Sequence, residues 1–311
     1  MFLEGHKSPV IDIAIDHHSN SRLATASEDC TARVWSASGD GVYKSTKALV
    51  GFEDAVVAVV WHPATTERLF LSCGGSVFLF DLQSLAPLIK ASDALETWKV
   101  SDVEINSIQI NKKGSEIAWC DDSGAVGILI LSTGKNRLFR MKHANIASKV
   151  LYKGGKDGEL LSGSYDGSAL IWDTKKGAIT DTLDLTTRTG GENQTTPVFV
   201  LSLAASPDAK KLAAGAGDGS VWQSSTRLSN AKDFSAHTGP VIGLAYAGQR
   251  LVSCSLHQLC IWKADEKEVE KTIDIKDLEK ANCIAATSTH VLIGGFAKDG
   301  KGRVVVLPIE V

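Results

Sequence analysis

Short apolar runs, each cut off by a polar turn, set the rhythm of this chain. Leu160 to Ser164 begins aliphatic and ends small and polar, Asp166-Gly167 supplies a tight turn, and Ser168 to Trp172 is a second run. Two such runs joined this way predict a β-hairpin. The pattern is repeated near the start of the chain by Val10 to Ile15, Leu23 to Ser27, the turn residue Asp29, and Ala32 to Trp35. His6 precedes Asp29 by 23 residues, as His143 precedes Asp166, and each Asp precedes its Trp by six. Two independent spacings that agree identify an internal repeat.

The rest of the chain divides into copies of the same unit. A second has Val56 to Trp61, Leu69 to Cys73 and Val77 to Phe80, with Phe80 in the Trp position and Gly74-Gly75 where the turn Asp would stand. A third has Ile105 to Ile110, Glu116 to Cys120, the turn Asp121-Asp122-Ser123-Gly124 and Val126 to Leu131. The hairpin at Leu160 belongs to the fourth, whose first strand is Ala147 to Tyr152. In the fifth, Val198 to Leu203, Lys211 to Gly215 and Ser220 to Ser224, Trp222 falls two residues early and so keeps the same face of a strand with period two. The sixth has His237, Val241 to Tyr246, Arg250 to Ser255 and Gln258 to Trp262, with Leu256 replacing the turn Asp; the seventh has Asn282 to Ala286, His290 to Gly294 and Arg303 to Leu307.

Most copies are followed by an alternating polar run that predicts an outer strand, such as Val42 to Leu49, Leu95 to Val100 and Ala178 to Leu185. The seventh lacks one, while Met1-Phe2-Leu3 stands just ahead of Gly5-His6, where every other unit has its outer strand. The N-terminus is therefore expected to complete the last unit and close a ring, which removes the exposed edge of an open array. This organisation uses residues 1–311 as one domain. The polar stretch Thr186 to Thr196 predicts a mobile loop between the fourth and fifth units, a place where binding function often resides.

Composition narrows the function. Hydrophobic residues are 43% and charged residues 22%, as in a globular chain with a sizeable core. A net charge of −3 and a pI near 6.2 argue against general attraction to nucleic-acid phosphates. The six cysteines have no CxxC spacing and lie mostly beside apolar runs, as reduced buried thiols would. With no signal-like N-terminus and no apolar run of membrane-spanning length, a cytoplasmic or nuclear protein is expected.

His143, Ser162 or Ser164, Asp166 and Trp172 resemble the signature of WD40 repeats, as do His6, Asp29 and Trp35, and more loosely His237 and Trp262. The resemblance implies an all-β fold, a seven-bladed WD40 β-propeller, in which each set forms a buried hydrogen-bonded chain. Neutral imidazole suits that role because one ring nitrogen donates while the other accepts. A narrower resemblance covers Val103 to Ser107, Asp121 to Val126, His143 to Ile146 and, more weakly, Phe78 to Leu85. It points to a WD40 subfamily regarded as candidate substrate receptors of cullin-RING ubiquitin ligases, docking to the ligase adaptor through an Arg two residues after the Trp-Asp pair. Here those positions hold Lys175, Gln83 and Ser38, and lysine lacks the planar five-donor fork.

Nothing in the chain marks a catalytic, cofactor-binding or metal-binding residue. The His-Asp pairs lack a marked nucleophile, His17-His18 lacks a third ligand, Asp121 to Gly124 lacks the remaining oxygens of a calcium loop, and Gly215 to Gly219 precedes no helix. Trp98 is expected to pack on an outer strand. In a WD40 repeat the loop entering the first strand and the turn between the second and third share one face. That places Glu28, Glu53, Asp54, Asp102, Glu104, Asp121 and Asp122 on blades one to three, opposed by Lys7. Blades four to seven contribute a mixed set that includes Asn145 and Tyr165. The reading is a non-enzymatic, monomeric scaffold that binds a protein or basic peptide there, with a ligase adaptor implied by the resemblance and neither cofactor, membrane nor nucleic acid as a direct partner. The rivals are an enzyme in the central channel, which needs convergent titratable groups with shifted pKa values, and a nucleic-acid binder, which needs a basic surface.

Overall fold

Seven sheets, each with four antiparallel strands, follow one another along the chain in a computed structural model that describes residues 1–16, 18–19, 21–38, 42–83, 86–154, 157–187, 198–263 and 268–309. Each is a blade whose inner strand contacts the inner strands of its two neighbours, and the inner strand of the seventh (Lys280–Ala286) returns to that of the first (Val10–Ile15). The second strands Arg22–Ser27, Arg68–Cys73 and Glu159–Ser164 are buried at every position after the first. Neighbouring blades cover both of their faces, which is why these strands read as continuous small and apolar runs without alternation. The core accordingly lies between blades: Ala24, Leu49, Val59, Leu69 and Phe80 form one cluster across blades one and two.

Six inner strands shift register at the same place, between Val10 and Asp12, Val56 and Ala58, Ile105 and Ser107, Ala147 and Lys149, Val200 and Ser202, and Ala281 and Cys283. A bulge there increases local twist and aims the residue that follows the shift alike in each strand.

The ring closes as the sequence predicts. Phe2–Glu4 pairs antiparallel with Gly302–Pro308, in the register Phe2 with Val305 and Leu3 with Val304, and Leu3 is buried. Val306 N–H donates to the Met1 carbonyl at 2.9 Å. One strand was not foreseen: Leu88–Lys90, in the connection to the outer strand of blade two (Glu96–Lys99), runs parallel to Tyr43–Val50 and gives blade one a fifth strand. Ile89 is fully buried in the cluster between blades one and two, and Ala48 N–H donates to the Pro87 carbonyl at 2.8 Å, so the excursion covers the apolar end of an otherwise open edge. In blade six the inner strand begins at Gly243, later than the apolar run from Val241 suggests. Of the segment expected to be mobile, 188–196 lies outside the described residues. Among the described residues no helix is long and apolar enough to cross a membrane.

Candidate functional site

The buried histidines of the propeller resemble catalytic groups. His143 Nε2 lies 2.7 Å from Ser162 Oγ, and Trp172 Nε1 donates to the same oxygen at 2.7 Å. With the hydroxyl accepting from the indole, its own hydrogen points to Nε2, which leaves the imidazole proton on Nδ1 facing Ser168 Oγ at 2.9 Å and Asp166 Oδ2 at 3.3 Å. Ser162, not Ser164, is thus the member on the second strand; Ser164 accepts from the Asp166 amide and donates to the Asn145 carbonyl. Blade one repeats the geometry: His6 is 2.7 Å from Thr25 Oγ1 and 3.0 Å from Asp29 Oδ2, and Trp35 donates to Thr25 at 2.9 Å. Burial pushes the Asp29 and Asp166 carboxyls up, but hydrogen bonds from the histidine and from Thr31 or Ser168 outweigh it and hold both well below the usual carboxylate range. Ser162 is fully buried, so no nucleophile is presented: these chains fix turns and strands.

Other blades vary the theme. In blade five Trp222 is buried as expected and donates to Ser220 Oγ at 2.9 Å, which donates to Asp218 at 2.6 Å. In blade six His237 meets Ser253 at 2.7 Å and Trp262 donates to Ser253 at 2.9 Å. His237 Nδ1 is also 4.0 Å from Cys260 Sγ. Burial pushes that thiol up and the imidazole down to about 4, the opposite of what a thiolate-imidazolium pair needs. Blade three substitutes Trp119 on the second strand, opposite Gly127, with its indole donating to Asn136 at 2.9 Å; the sequence reading missed this, although Trp opposite Gly was the available signal.

On the turn face, Glu28, Glu53, Asp54, Asp102, Glu104 and Asp122 are exposed. Asp121 is not, and its assignment to the binding surface is corrected: Ser101 Oγ donates to its Oδ2 at 2.6 Å, while Ser123 N–H and Ala125 N–H donate to Oδ1 at 2.9 and 3.0 Å. Ser101 stands where other blades carry histidine, and it draws the carboxylate inward to cap the turn. The structure brings Asp54, Glu104 and Asp122 together: partial burial and then the Asp122 and Asp54 carboxylates push Glu104 up. Asn106 Nδ2 donates to Asp122 at 2.9 Å, and the Asp122 amide donates to the Glu104 carbonyl at 3.1 Å. Across the ring, Tyr165 is half-buried and stacked on Phe199 at 5.0 Å, and Asn145 is exposed with its side chain capping the Ile146 amide.

Comparison with known proteins matches this architecture. The profile of the family described as WD domain, G-beta repeat matches residues 1–36 and 155–173, which carry His6, Thr25, Asp29 and Trp35 of blade one and Ser162, Asp166 and Trp172 of blade four. The chain folds as a seven-bladed β-propeller and is similar to WD40-repeat proteins. It is 29% identical over 239 residues to the WD repeat-containing protein 53 homolog of Dictyostelium discoideum, covering 70% of this chain and 62% of that protein. It is also similar to Coronin-2A of Bos taurus (26% identity, 58% of this chain and 34% of that one) and to protein transport protein SEC13 of Phaeosphaeria nodorum (25%, 38% and 34%). The matched part is less than two thirds of each of these relatives. WD40-repeat propellers are in general protein-interaction scaffolds.

Inside the propeller, one ion pair escaped the sequence reading. Asp12 of blade one and Lys149 of blade four approach to 3.8 Å, and because their blades are not neighbours the pair spans the central channel. Burial pushes the Asp12 carboxyl up, Lys149 pulls it back, and the Val59 amide donates to it at 3.0 Å. The equivalent register positions of the other inner strands hold Ala58, Ser107, Ser202, Gly243 and Cys283, so no second carboxylate meets Asp12 there. The signal was a charged residue at one register position of two apolar strands. The Lys175 and Gln83 positions of the propeller are exposed, their amides donating to Asp173 and Asp81 at 2.9 and 3.2 Å. His17 lies outside the described residues, and among those described no group of three or more His, Cys, Asp or Glu side chains is placed to hold a metal ion.

Proposed function

We propose that this propeller is a non-enzymatic interaction scaffold that receives a basic peptide or protein segment on the turn face of blades two and three. The observation that carries the reading is the convergence of Asp54, Glu104 and Asp122 on rigid turns, beside Glu53 and with no cation paired to any of them among the described residues. Crowded carboxylates raise one another's cost of ionisation, and a lysine or arginine from a partner relieves it while the low-dielectric wall focuses the field. Against a channel enzyme stand the single Asp12–Lys149 pair and the inert Cys260–His237 contact. We leave the ligase adaptor outside the proposal, because Lys175 and Gln83 offer no bidentate fork.

The test replaces Glu53, Asp54, Glu104 and Asp122 together with Ser and measures binding of a Lys/Arg-rich peptide library at low and moderate salt. Affinity should fall by about tenfold or more at low salt, with a shallower salt dependence. Affinity and salt dependence equal to those of the unaltered protein would remove the acidic cluster from the binding surface.

A further inference from the structure

We propose that the cleft between blades two and three, on the face opposite the acidic turns, is a second docking site that takes an acidic, apolar peptide segment of a partner protein. The cleft has a volume of about 560 Å³ and lies where the inner strands of these blades end, around His62 and Gly114, and where the third strand of blade three turns toward its outer strand, at Gly134. Those are the opposite strand ends from Asp54 and Asp122. The volume falls within the range that ligand-binding clefts occupy.

Its walls are built for close approach. Trp98 and Glu96 project from the same face of the outer strand of blade two, two residues apart. Gly134 (φ +64°) lies under the Trp98 indole, so that a Cβ there would stand 3.0 Å from Nε1; a Cβ on Gly114 (φ +71°) would stand 2.4 Å from the His62 ring. Two left-handed glycines of blade three thus let two rings of blade two rest on backbone and keep the space between the blades open. Phe70 and Leu79 form the buried floor, and Leu95, 54% exposed, forms an apolar lip.

The chemistry of the occupant follows from Arg68. Its Nε is buried without a hydrogen-bond partner, and its guanidinium forms no ion pair among the described residues. His62 does not share the task of binding an anion: its Nδ1 accepts the Ala64 and Thr65 amides at 3.1 and 2.8 Å, its Nε2 donates to the Gly114 carbonyl at 3.2 Å, and burial lowers its pKa. Glu96 sits on the rim and stays beyond ion-pair distance of Arg68. A half-buried cation left unpaired beside aromatic and aliphatic walls is completed by a carboxylate next to a Leu, Ile or Phe side chain. The outer edge of Glu96–Lys99 is unpaired in its sheet, which suits an extended segment running past the cleft. The two faces of the ring would then select partners of opposite charge.

Random peptides displayed on phage, selected on the full chain, test the idea. Selected clones should carry Asp or Glu within two residues of Leu, Ile or Phe, and the synthetic peptides should bind about tenfold more weakly to Arg68→Gln and to Leu95→Asp. Trp98→Ala should weaken them as well, with melting curves of all three variants showing that the fold is kept. Binding should be unchanged in the protein lacking Glu53, Asp54, Glu104 and Asp122, so this proposal and the basic-peptide site fail independently. Selection that yields no acidic, apolar clones, or clones indifferent to Arg68→Gln and Leu95→Asp, overturns it.

Discussion

Blades four and two solve one packing problem with opposite chemistry. In blade four, His143, Ser162 and Trp172 form a hydrogen-bonded chain that ends on Asp166. In blade two the corresponding positions hold Phe52, four residues ahead of the inner strand, Leu71, opposite Val59 as Ser162 is opposite Val150, and Phe80. All three are buried, and Phe52 meets Phe80 edge-on at 6.2 Å and Phe78 at 5.4 Å. A polar network must be satisfied completely or not built at all, and blade two takes the second course. The exchange reaches the surface. Without a turn Asp, the Gly74-Gly75 turn lets blade three come close: Ile105 donates to the Gly74 carbonyl at 2.9 Å, and Val100 and Ser101 donate to the Gly75 carbonyl at 3.0 and 3.1 Å. A Cβ on Gly75 would stand 2.0 Å from the Ser101 carbonyl oxygen. The blade that gave up its polar chain is therefore the one whose turn admits Glu104 and Asp122 to the neighbourhood of Asp54.

The largest effect should come from the apolar version. Phe80→Ala removes a fully buried ring with no chance of compensation by water and should cost about 3–5 kcal/mol in urea denaturation. That loss should be the same at pH 7 and pH 4.5, since Phe80 packs in a cluster of apolar side chains; a loss under 1 kcal/mol would mean that the neighbouring blades, not this stack, hold blade two.

Asp166→Ala should cost less, about 1–3 kcal/mol, and the loss should depend on pH. The folded pKa of Asp166 is depressed, so its contribution is complete above the ordinary value near 3.9 and disappears as pH falls through the depressed value. The gap between the unaltered protein and the variant should be constant from pH 7 to 5 and close below about pH 4. A gap that stays open at low pH would assign the effect to packing.

What the sequence disclosed, and what it hid, follows the same division. Spacing located both complete polar chains because each hydrogen-bonded member tolerates few residue types. It did not separate Ser162 from Ser164, since both lie on one strand face and only the distances to His143 and Trp172 decide. Asp121 was placed on the surface because turn carboxylates usually are; Ser101, an unremarkable serine in the sequence, turned it inward. Leu88–Lys90 was passed over because three residues carry no periodicity, and Asp12 with Lys149 because each is a single charge whose partner lies across the ring. The cleft at Trp98 is built from two blades and has no linear signature at all.

Blade six stands between the two solutions and should show the smallest effect. It keeps His237, Ser253 and Trp262 but has Leu256 where the turn carboxylate would be, so no turn carboxylate rewards a protonated imidazole. Burial pushes His237 down to about 4, against a partial recovery through Gln258. Because the folded pKa lies below the unfolded value of about 6.5, the unfolded chain binds the proton first: the contribution is complete above about pH 6.5 and is lost as pH falls through about 4. His62, also depressed by burial, titrates in the same direction, so the informative quantity is a difference between proteins. His237→Gln can still accept from Ser253 through its amide oxygen and removes the titration. Its stability between pH 6.5 and 4 should fall less steeply than that of the unaltered protein, and the two profiles should run parallel at lower pH, where Asp29 and Asp166 act in both. Parallel profiles through the upper window would show that His237 finds a counter-charge in the folded blade, and the contrast between blade six and blade four would dissolve.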